Sequence, residues 1–395
     1  MSSWAAIELG GMSIIETQNH FYMWYFRKSE RVIVKGSDTD EPTYKFVMSG
    51  ETLRRRLELD GHNIASLRLE FDQQLAQMKK DCLDMIAIDP DSKAKTFLPV
   101  LESSTLSDWL TRLRRIRDEE LEPGDFGQPD KEFGDPLLNF MLSVEGYYFS
   151  DHPGAGGHHF PCQSPEGYAI ALLEVLPKDV KCELDISALI SGGWTDAFDD
   201  LVESQQEFTS FYALFKSSLE EVMSLALLAP TNEPLARMLY ASVITAMETY
   251  LSDTLRKQVF VKPAIKRRFV ENHGKFKGNQ LDLCNIYTRL ESLDSFITKV
   301  IDEESFHSIV SVQKLYKNVL LTEISKPHMD KLVRAVSIRH DIVHRNGKSL
   351  QGDNHKMNME DARQLVDAVD AAVRHIDKQI KDGLLDEIED DFSSV

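Results

Sequence analysis

The 395 residues exceed what one ordinary hydrophobic core organises, so we expect two or three domains, and no stretch offers the roughly 18 uncharged apolar residues of a membrane helix. Four widely separated cysteines argue against a disulfide scaffold or a cysteine-rich zinc module and, with no leader pattern, favour the reducing cytoplasm. The net charge of −19 disfavours nucleic acid only for part of the chain, because residues 1–232 carry −18, residues 233–381 carry +5 and the last fourteen carry −6.

The first half of the chain alternates short strands with helices. Four stretches rich in β-branched and aromatic residues predict strands, and they read WAAIEL, RVIVKG, YKFVMSG and VKCELDIS. Apolar residues at helical spacing predict two helices from Glu51 onward that are broken at Asp60-Gly61, a third that begins near Leu106 and a fourth that begins after Ser164. We therefore predict a mixed α/β region over residues 1–199.

Beyond Asp199 all the predicted elements are helices. A helix and the proline-containing linker LLAPTNEP occupy residues 200–232, and four or five further helices are predicted over residues 233–381. Asn358 supplies a helix start signal for the last of them, and Gly383 supplies its stop signal. The predicted fold class is α+β: the mixed region, a connecting segment, an all-α bundle and an acidic tail of residues 382–395 that we expect to be disordered.

The bundle contains the stretch SIRHDIVHRNG, which concentrates titratable side chains near a predicted helix end. His340 and His344 are four residues apart and share a helical face, so His340-Asp341-x-x-His344 is similar to the HExxH motif of zinc hydrolases. Aspartate is shorter than glutamate by one methylene, and no third ligand is signalled nearby. A zinc hydrolase therefore stands as one alternative.

The same stretch supports a metal-free interpretation. Arg339 and His344, with the polar His340 next to the arginine, form an Arg-x4-His pattern that resembles the signature of HEPN ribonucleases, whose fold is a small all-α bundle. The stretches WAAIELGGMSI, FYMWYFR and LEVLPKDVKCELDISALISGGW resemble the N-terminal region of bacterial proteins with a HEPN/Toprim-associated domain. The resemblance implies metal-independent RNA cleavage in toxin–antitoxin or anti-phage defence, including abortive infection, with no cofactor.

The residue types suit that chemistry. Histidine has an unperturbed pKa near neutrality, so His344 is the candidate general base or acid for attack by the RNA 2′-hydroxyl. Arg339 offers a permanent charge and a fork of donors for the phosphorane oxygens, and His340 is expected to orient or assist. The expected products carry a 2′,3′-cyclic phosphate and a 5′-hydroxyl, and the expected substrate is a cellular RNA such as tRNA or mRNA.

The spacing of the motif predicts a homodimer. Five residues rotate an ideal helix by about 500°, which leaves Arg339 and His344 about 140° apart. Either the helix loosens near His344, as Asn346-Gly347 permits, or a second copy supplies the complementary residues. HEPN relatives place paired motifs in a cleft between two modules, and this chain holds one clear motif.

Other polar residues are candidates for support and for RNA binding. Glu248 is expected to contact the motif, because the first helix of HEPN modules often carries such an acid, with a solvated helix face as the alternative. Asp341, Arg345 and Asn346 flank the motif. The candidate phosphate contacts, for which a solvated basic loop is the alternative, are Lys262, Lys266, Arg267, Arg268, Lys275, Lys277 and Lys348.

Two alternatives of a different kind stay open. The bundle is alternatively a non-catalytic dimerisation or scaffold module, with the N-terminal region binding a regulatory protein or a trigger ligand. Separately, a Gly-rich loop holds His152, His158, His159 and Cys162, which suggests either a metal site or an ordinary surface loop with histidines. No membrane partner is expected.

Overall fold

The chain divides into two compact units, Met1–Gln205 and Gln206–Val395. The computed structural model describes residues 3–34, 43–122, 132–143, 158–192, 208–278, 286–349 and 351–385. Within these ranges no helix combines the length and the apolar character that a bilayer-spanning segment needs.

The first unit is built on a five-stranded antiparallel sheet. Its strands are β1 (Trp4–Leu9), β2 (Met12–Gln18), β3 (Arg31–Val34), β4 (Thr43–Ser49) and β5 (Lys181–Asp185). Their spatial order is β2-β1-β5-β4-β3, so the last strand in sequence fills the middle of the sheet. Leu184 lies opposite Ile7 on one side and Phe46 on the other, and all three are buried. The four predicted strands are confirmed, and β2 was not predicted.

Seven helices pack with this sheet in the described part of the first unit. They are α1 (Gly50–Leu59), α2 (Ile64–Ile88), α3 (Ala94–Ser103), α4 (Leu106–Asp118), α5 (Pro136–Leu142), α6 (Pro165–Val175) and α7 (Ser187–Ser191). Helix α6 is central, because residues 168–173 are all buried and the helix contacts α1, α2, α4 and β2. The four helices predicted here are confirmed as α1, α2, α4 and α6, the last with Ser164 as its cap.

The regular elements described in the second unit are helical, apart from one isolated β-bridge and short 3₁₀ turns. They are α8 (Ser210–Leu228), α9 (Glu233–Val261), α10 (Pro263–Asn272), α11 (Ile286–Asp302), α12 (Ile309–Leu320), α13 (Lys326–His344) and α14 (Met359–Asp382). Helix α9 lies at the centre and contacts α8, α10, α12, α13 and α14. The α+β fold class is confirmed.

A buried carboxylate ties three of these helices together. Asp377 of α14 accepts hydrogen bonds from the Thr209 backbone N–H (2.9 Å), the Thr209 hydroxyl (2.5 Å) and the Tyr250 hydroxyl of α9 (2.8 Å). Thr209 is also the N-cap of α8. Helix α8, which the sequence placed in a connecting segment, therefore packs on α9 and α14 as part of the second unit.

The two ends of α14 show how local side chains set its length. Asn358 and Asp361 form a reciprocal capping box at its start, and Gly383 follows its last residue. After Gly383 the chain turns, and the Leu385 side chain is buried. Of the acidic tail, residues 386–395 lie outside the described part of the chain.

Candidate functional site: the C-terminal end of helix α13

The motif occupies the last turns of α13. His340 and His344 are both exposed, and their rings lie side by side with centroids 4.7 Å apart at an interplanar angle of 45°. The ring contact follows from their spacing of four residues, which places both side chains on one helical face. The structure therefore presents two adjacent imidazoles at an accessible helix end.

Arg339 points to a different neighbour. Its Nη2 lies 3.9 Å from Oε2 of Glu248 on α9, and the two side chains are only 19% and 17% exposed. Arg339 Nε and Glu248 Oε1 are buried, and neither has a hydrogen-bond partner among the described residues. The distance between Arg339 and Glu248 is close to the longest at which two charged groups count as an ion pair. The guanidinium therefore has N–H donors available for another group. The contact with Glu248 joins α9 to the motif.

The helix stays regular through the motif. The Arg345 backbone N–H still donates to the Asp341 carbonyl (3.0 Å), and α13 ends at His344. Because about 100° of rotation separates consecutive residues, Arg339 faces α9 while His344 lies on the exposed side. In one copy the helix does not loosen before His344, so the two predicted catalytic side chains do not converge within a single α13.

Asp341 organises the segment that follows the helix. It accepts a hydrogen bond from Nη1 of Arg345 (2.5 Å), and its other oxygen lies 2.9 Å from Nε2 of His355. The hydrogen bond with His355 and then that with Arg345 lower the pKa of the Asp341 carboxyl below its usual value. Asp341 and Arg345, both predicted as supporting residues, thus contact each other and hold the chain after α13 in place.

The turn after the helix needs special backbone conformations. Asn346 and Gly347 have positive φ values of 53° and 81°. The Gly347 N–H donates to the Asp341 carbonyl (2.9 Å), and the Gly347 carbonyl accepts from the His355 N–H (2.8 Å). A Cβ at Gly347 would lie 3.3 Å from Cδ of Arg237. Asn346 therefore shapes the backbone of this turn.

The basic segment after α9 forms helix α10 and a short turn, and acidic side chains neutralise part of its positive charge. Lys266 on α10 pairs with Asp294 at 3.0 Å, and Lys275 pairs with Glu303 at 3.5 Å. Asp294 belongs to α11, and Glu303 directly follows the last residue of that helix. Of the other predicted phosphate contacts, Lys262 and Arg268 are partly buried, and the exposed side chains are those of Arg267, Lys277 and Lys348. This cluster has less free positive charge than its sequence indicates.

Sequence reasoning missed a cavity beside the motif. It has a volume of about 650 Å³ and lies between α13, α14 and the first turns of α9. Lys331 and Arg334 of α13 and Lys356 line it. The one signal available in the sequence was the spacing of Lys331 and Arg334, which puts two cations on one helical face just before the motif.

The histidine loop of the first unit does not form a metal cluster in the residues described. His158 and His159 are buried, with Nε2 of His158 2.5 Å from the Tyr168 hydroxyl and Nε2 of His159 2.7 Å from the Ser143 carbonyl. Cys162 is buried as well, and His152 lies outside the described residues. No group of three or more potential ligands was found in the described ranges.

Two family models match the chain, and together they span both units. The model described as HEPN/Toprim N-terminal domain 1 matches residues 1–209, and the model described as RiboL-PSP-HEPN matches residues 199–382. The chain therefore belongs to the HEPN-domain proteins that carry an N-terminal HEPN/Toprim-associated domain. HEPN domains are generally ribonuclease or nucleotide-related modules of defence and toxin systems, and they commonly bind RNA and dimerise. No curated protein and no solved structure matches the chain.

Proposed function

We propose that the second unit is a metal-independent endoribonuclease that acts in anti-phage defence or in a toxin–antitoxin system. One observation carries the proposal: the last two turns of α13 hold two adjacent, exposed imidazoles and a guanidinium whose one ion pair is long, at 3.9 Å. All three side chains lie in the region that the RiboL-PSP-HEPN model matches. Catalytic residues need this combination of fixed position and access to substrate.

The chemistry follows from the three side chains. His344 removes the proton of an RNA 2′-hydroxyl, the oxygen attacks the adjacent phosphorus, and the 5′-oxygen of the next nucleotide leaves with a proton. The leaving oxygen takes that proton from a second imidazole, supplied by His340 or by a second copy of the motif. Arg339 donates to the phosphorane oxygens, where its charge is most stabilising. The products are a 2′,3′-cyclic phosphate and a 5′-hydroxyl.

We further propose that the active form is a homodimer through α13. The outward face of this helix carries Val333, Val336, His340 and Val343 at alternating spacings of three and four residues. Val333 is 43% exposed and Val343 is 50% exposed. Such a stripe is the pattern that packs one helix against another. Pairing two copies along it brings both motifs together, which compensates for the angle between Arg339 and His344.

The arrangement of Asp341 disfavours the zinc-hydrolase alternative. In an HDxxH site the acid would have to serve a metal-bound water beside the two imidazoles. Here both carboxylate oxygens are engaged by Arg345 and His355 on another side of the helix.

A second candidate function shares the valine stripe. A dimerisation or scaffold module without cleavage needs the exposed valines of α13 and does not need His344. For the ribonuclease we further propose that the first unit binds a regulatory protein or a trigger ligand, because an unrestrained ribonuclease would damage its own cell.

The deciding experiment compares wild-type protein with His344→Ala on total RNA in EDTA, with both fragment ends mapped. His307→Ala is the matched control, since His307 is an exposed histidine of the same unit outside the motif. We expect fragments with cyclic phosphate and 5′-hydroxyl ends from wild type and the control, and none from His344→Ala. Equal cleavage by all three proteins would remove His344 from the chemistry, and no cleavage by wild type would favour the scaffold.

A further inference from the structure

The cavity beside the motif has the dimensions of a small-molecule site. Its volume of about 650 Å³ falls within the roughly 300–1,000 Å³ typical of ligand pockets. Its walls come from three different helices, so its shape depends on how α9, α13 and α14 pack. Ile338 lines the cavity and directly precedes Arg339 of the motif.

One wall of the cavity is apolar and closely packed. Ala335 of α13, Leu365 of α14 and Met357 contribute to it, and all three are buried in the bundle. Tyr240 of α9 adds an aromatic ring that is also buried. Burial, with a contribution from the charge of Asp361, raises the pKa of the Tyr240 hydroxyl to about 12, so this group stays protonated. Ligand pockets are typically lined by apolar and aromatic side chains of this kind, which suit the ring of a nucleobase.

The rim of the cavity carries positive charge that the protein does not use. Lys331, Arg334 and Lys356 are exposed, and none of them makes an ion pair or a side-chain hydrogen bond among the described residues. This contrasts with Lys266 and Lys275 on the basic segment, which pair with Asp294 and with Glu303. Unpaired cations around an apolar wall favour an anionic ligand.

Two acids also line the cavity, and their negative charge does not cancel the positive charge of the rim. Asp361 is engaged in the capping box of α14, where its carboxylate accepts from the Asn358 backbone N–H at 2.8 Å. Asp367 is exposed one turn and a half further along α14. The three rim cations therefore exceed the two carboxylates, and one of those carboxylates is already in use.

The cavity is joined to the motif by a direct contact. His355 lines the cavity, and its ring lies 2.9 Å from the Asp341 carboxylate of the motif stretch. The His355 backbone N–H also donates to the Gly347 carbonyl. A ligand in the cavity thus touches the segment that holds the end of α13 in place.

We propose that this cavity binds a nucleotide, with the base against the apolar wall and the phosphate on the rim formed by Lys331, Arg334 and Lys356. The nucleotide has two sources. It is a residue of the RNA strand next to the cleaved linkage, in which case the inference rests on the function proposed above, or it is a free nucleotide that acts as a trigger. Both present the same base and phosphate.

The test measures binding and leaves cleavage aside. The proteins compared are full-length wild type, Arg334→Glu and Ala368→Trp, all in EDTA. Each is titrated with a fluorescein-labelled 2′-O-methyl RNA, which lacks the attacking hydroxyl. Binding of the four 5′-mononucleotides is measured separately by calorimetry. Arg334→Glu reverses one exposed rim charge, and Ala368→Trp fills the cavity from α14. Lys314→Glu on α12 is the matched control, since Lys314 is exposed and lies outside the cavity lining. Thermal unfolding followed by circular dichroism confirms that each variant is folded.

We expect Arg334→Glu and Ala368→Trp to weaken binding of at least one probe about tenfold, as loss of a charge-assisted contact does, with Lys314→Glu within about twofold of wild type. Loss confined to the RNA assigns the cavity to the strand, whereas loss of mononucleotide binding assigns it to a free nucleotide. Wild type that binds neither probe, or rim variants that bind both like the control, would overturn the proposal. These outcomes do not depend on whether His344 cleaves RNA.

Discussion

The two units each contain a pair of neighbouring histidines, and the two pairs have opposite surroundings. In the first unit His158 and His159 are each 4% exposed, and their rings meet the Tyr168 hydroxyl and the Ser143 carbonyl. In the second unit His340 and His344 are exposed, and each contacts the ring of the other. Both pairs are candidate sites in the sequence, and only the second is open to a substrate.

Burial explains why the first pair is structural. Loss of solvent lowers the pKa of His159, although the hydrogen bond with Ser143 opposes the shift, so the ring is neutral and packs against Phe140. A neutral ring in a core contributes packing and one hydrogen bond. The exposed pair contributes little packing, and both rings are accessible for the proton transfer proposed above. Accessibility, more than residue type, separates the two roles.

The largest effect is expected at the exposed pair. His344→Gln should lower the rate of RNA cleavage by roughly 10²–10⁴-fold, the usual contribution of a general acid or base. The melting temperature should stay unchanged, because the ring is exposed. Single-turnover cleavage of a defined RNA and a thermal melt measure the two quantities. A lower melting temperature with an unchanged rate would make this pair structural and erase the contrast.

The reverse pattern is expected at the buried pair. His159→Gln should destabilise the first unit by about 2 kcal/mol, because it disturbs a packed ring and its hydrogen bond. The pKa of His159 is lower in the folded state than in the unfolded chain. The stability that its ring contributes is therefore complete above the unfolded pKa of about 6.5 and declines as the pH falls below that value. Hydrogen exchange in residues 158–192 at pH 7 and pH 5 tests both points.

His344→Gln is the control for that measurement, and it should leave exchange in residues 158–192 unchanged. Exchange that is as slow in His159→Gln as in wild type would show that the buried ring is dispensable.

A smaller, pH-dependent effect is expected at the acid beside the exposed pair. The pKa of Asp341 is lowered in the folded state, so its contribution to stability is complete above about pH 4, the usual pKa of an aspartate, and is lost as the pH falls through the folded value. Asp341→Asn should therefore be less stable at pH 7 and should lose less stability between pH 5 and pH 3. Urea unfolding across this range measures the slope. Parallel curves for wild type and variant would exclude the ionised carboxylate as the cause.

Much of the fold was accessible from local sequence because its signals are local. The Asn358 start signal and the Gly383 stop signal define α14, and apolar periodicity defines α9. Helix α10 has an apolar face formed by Ile265 and Phe269, which are four residues apart and both buried. Its many basic residues make this helical spacing of apolar residues hard to detect in the sequence.

The candidate site depended more on contacts between distant segments. The motif itself was visible at Arg339 and His344, and Glu248 was named through the family resemblance. The partners of Asp341 were not predicted, because His355 reaches it only after the chain turns back at Gly347. The cavity likewise exists only once three helices have packed.

The smallest effect is expected at Gly347. Its φ of +81° is unfavourable for L-residues, and a Cβ there would meet Arg237, so Gly347→Ala should destabilise the turn after α13 by about 1 kcal/mol or slightly more. Gly352→Ala is the matched control, because Gly352 has a φ of +90° with nothing within 4 Å of a Cβ. It carries the backbone cost without the contact. Faster hydrogen exchange in residues 345–355 of Gly347→Ala than of Gly352→Ala would therefore measure the cost of the contact with Arg237. Identical exchange in the two variants would mean that only the positive φ is costly and that the Arg237 side chain moves aside.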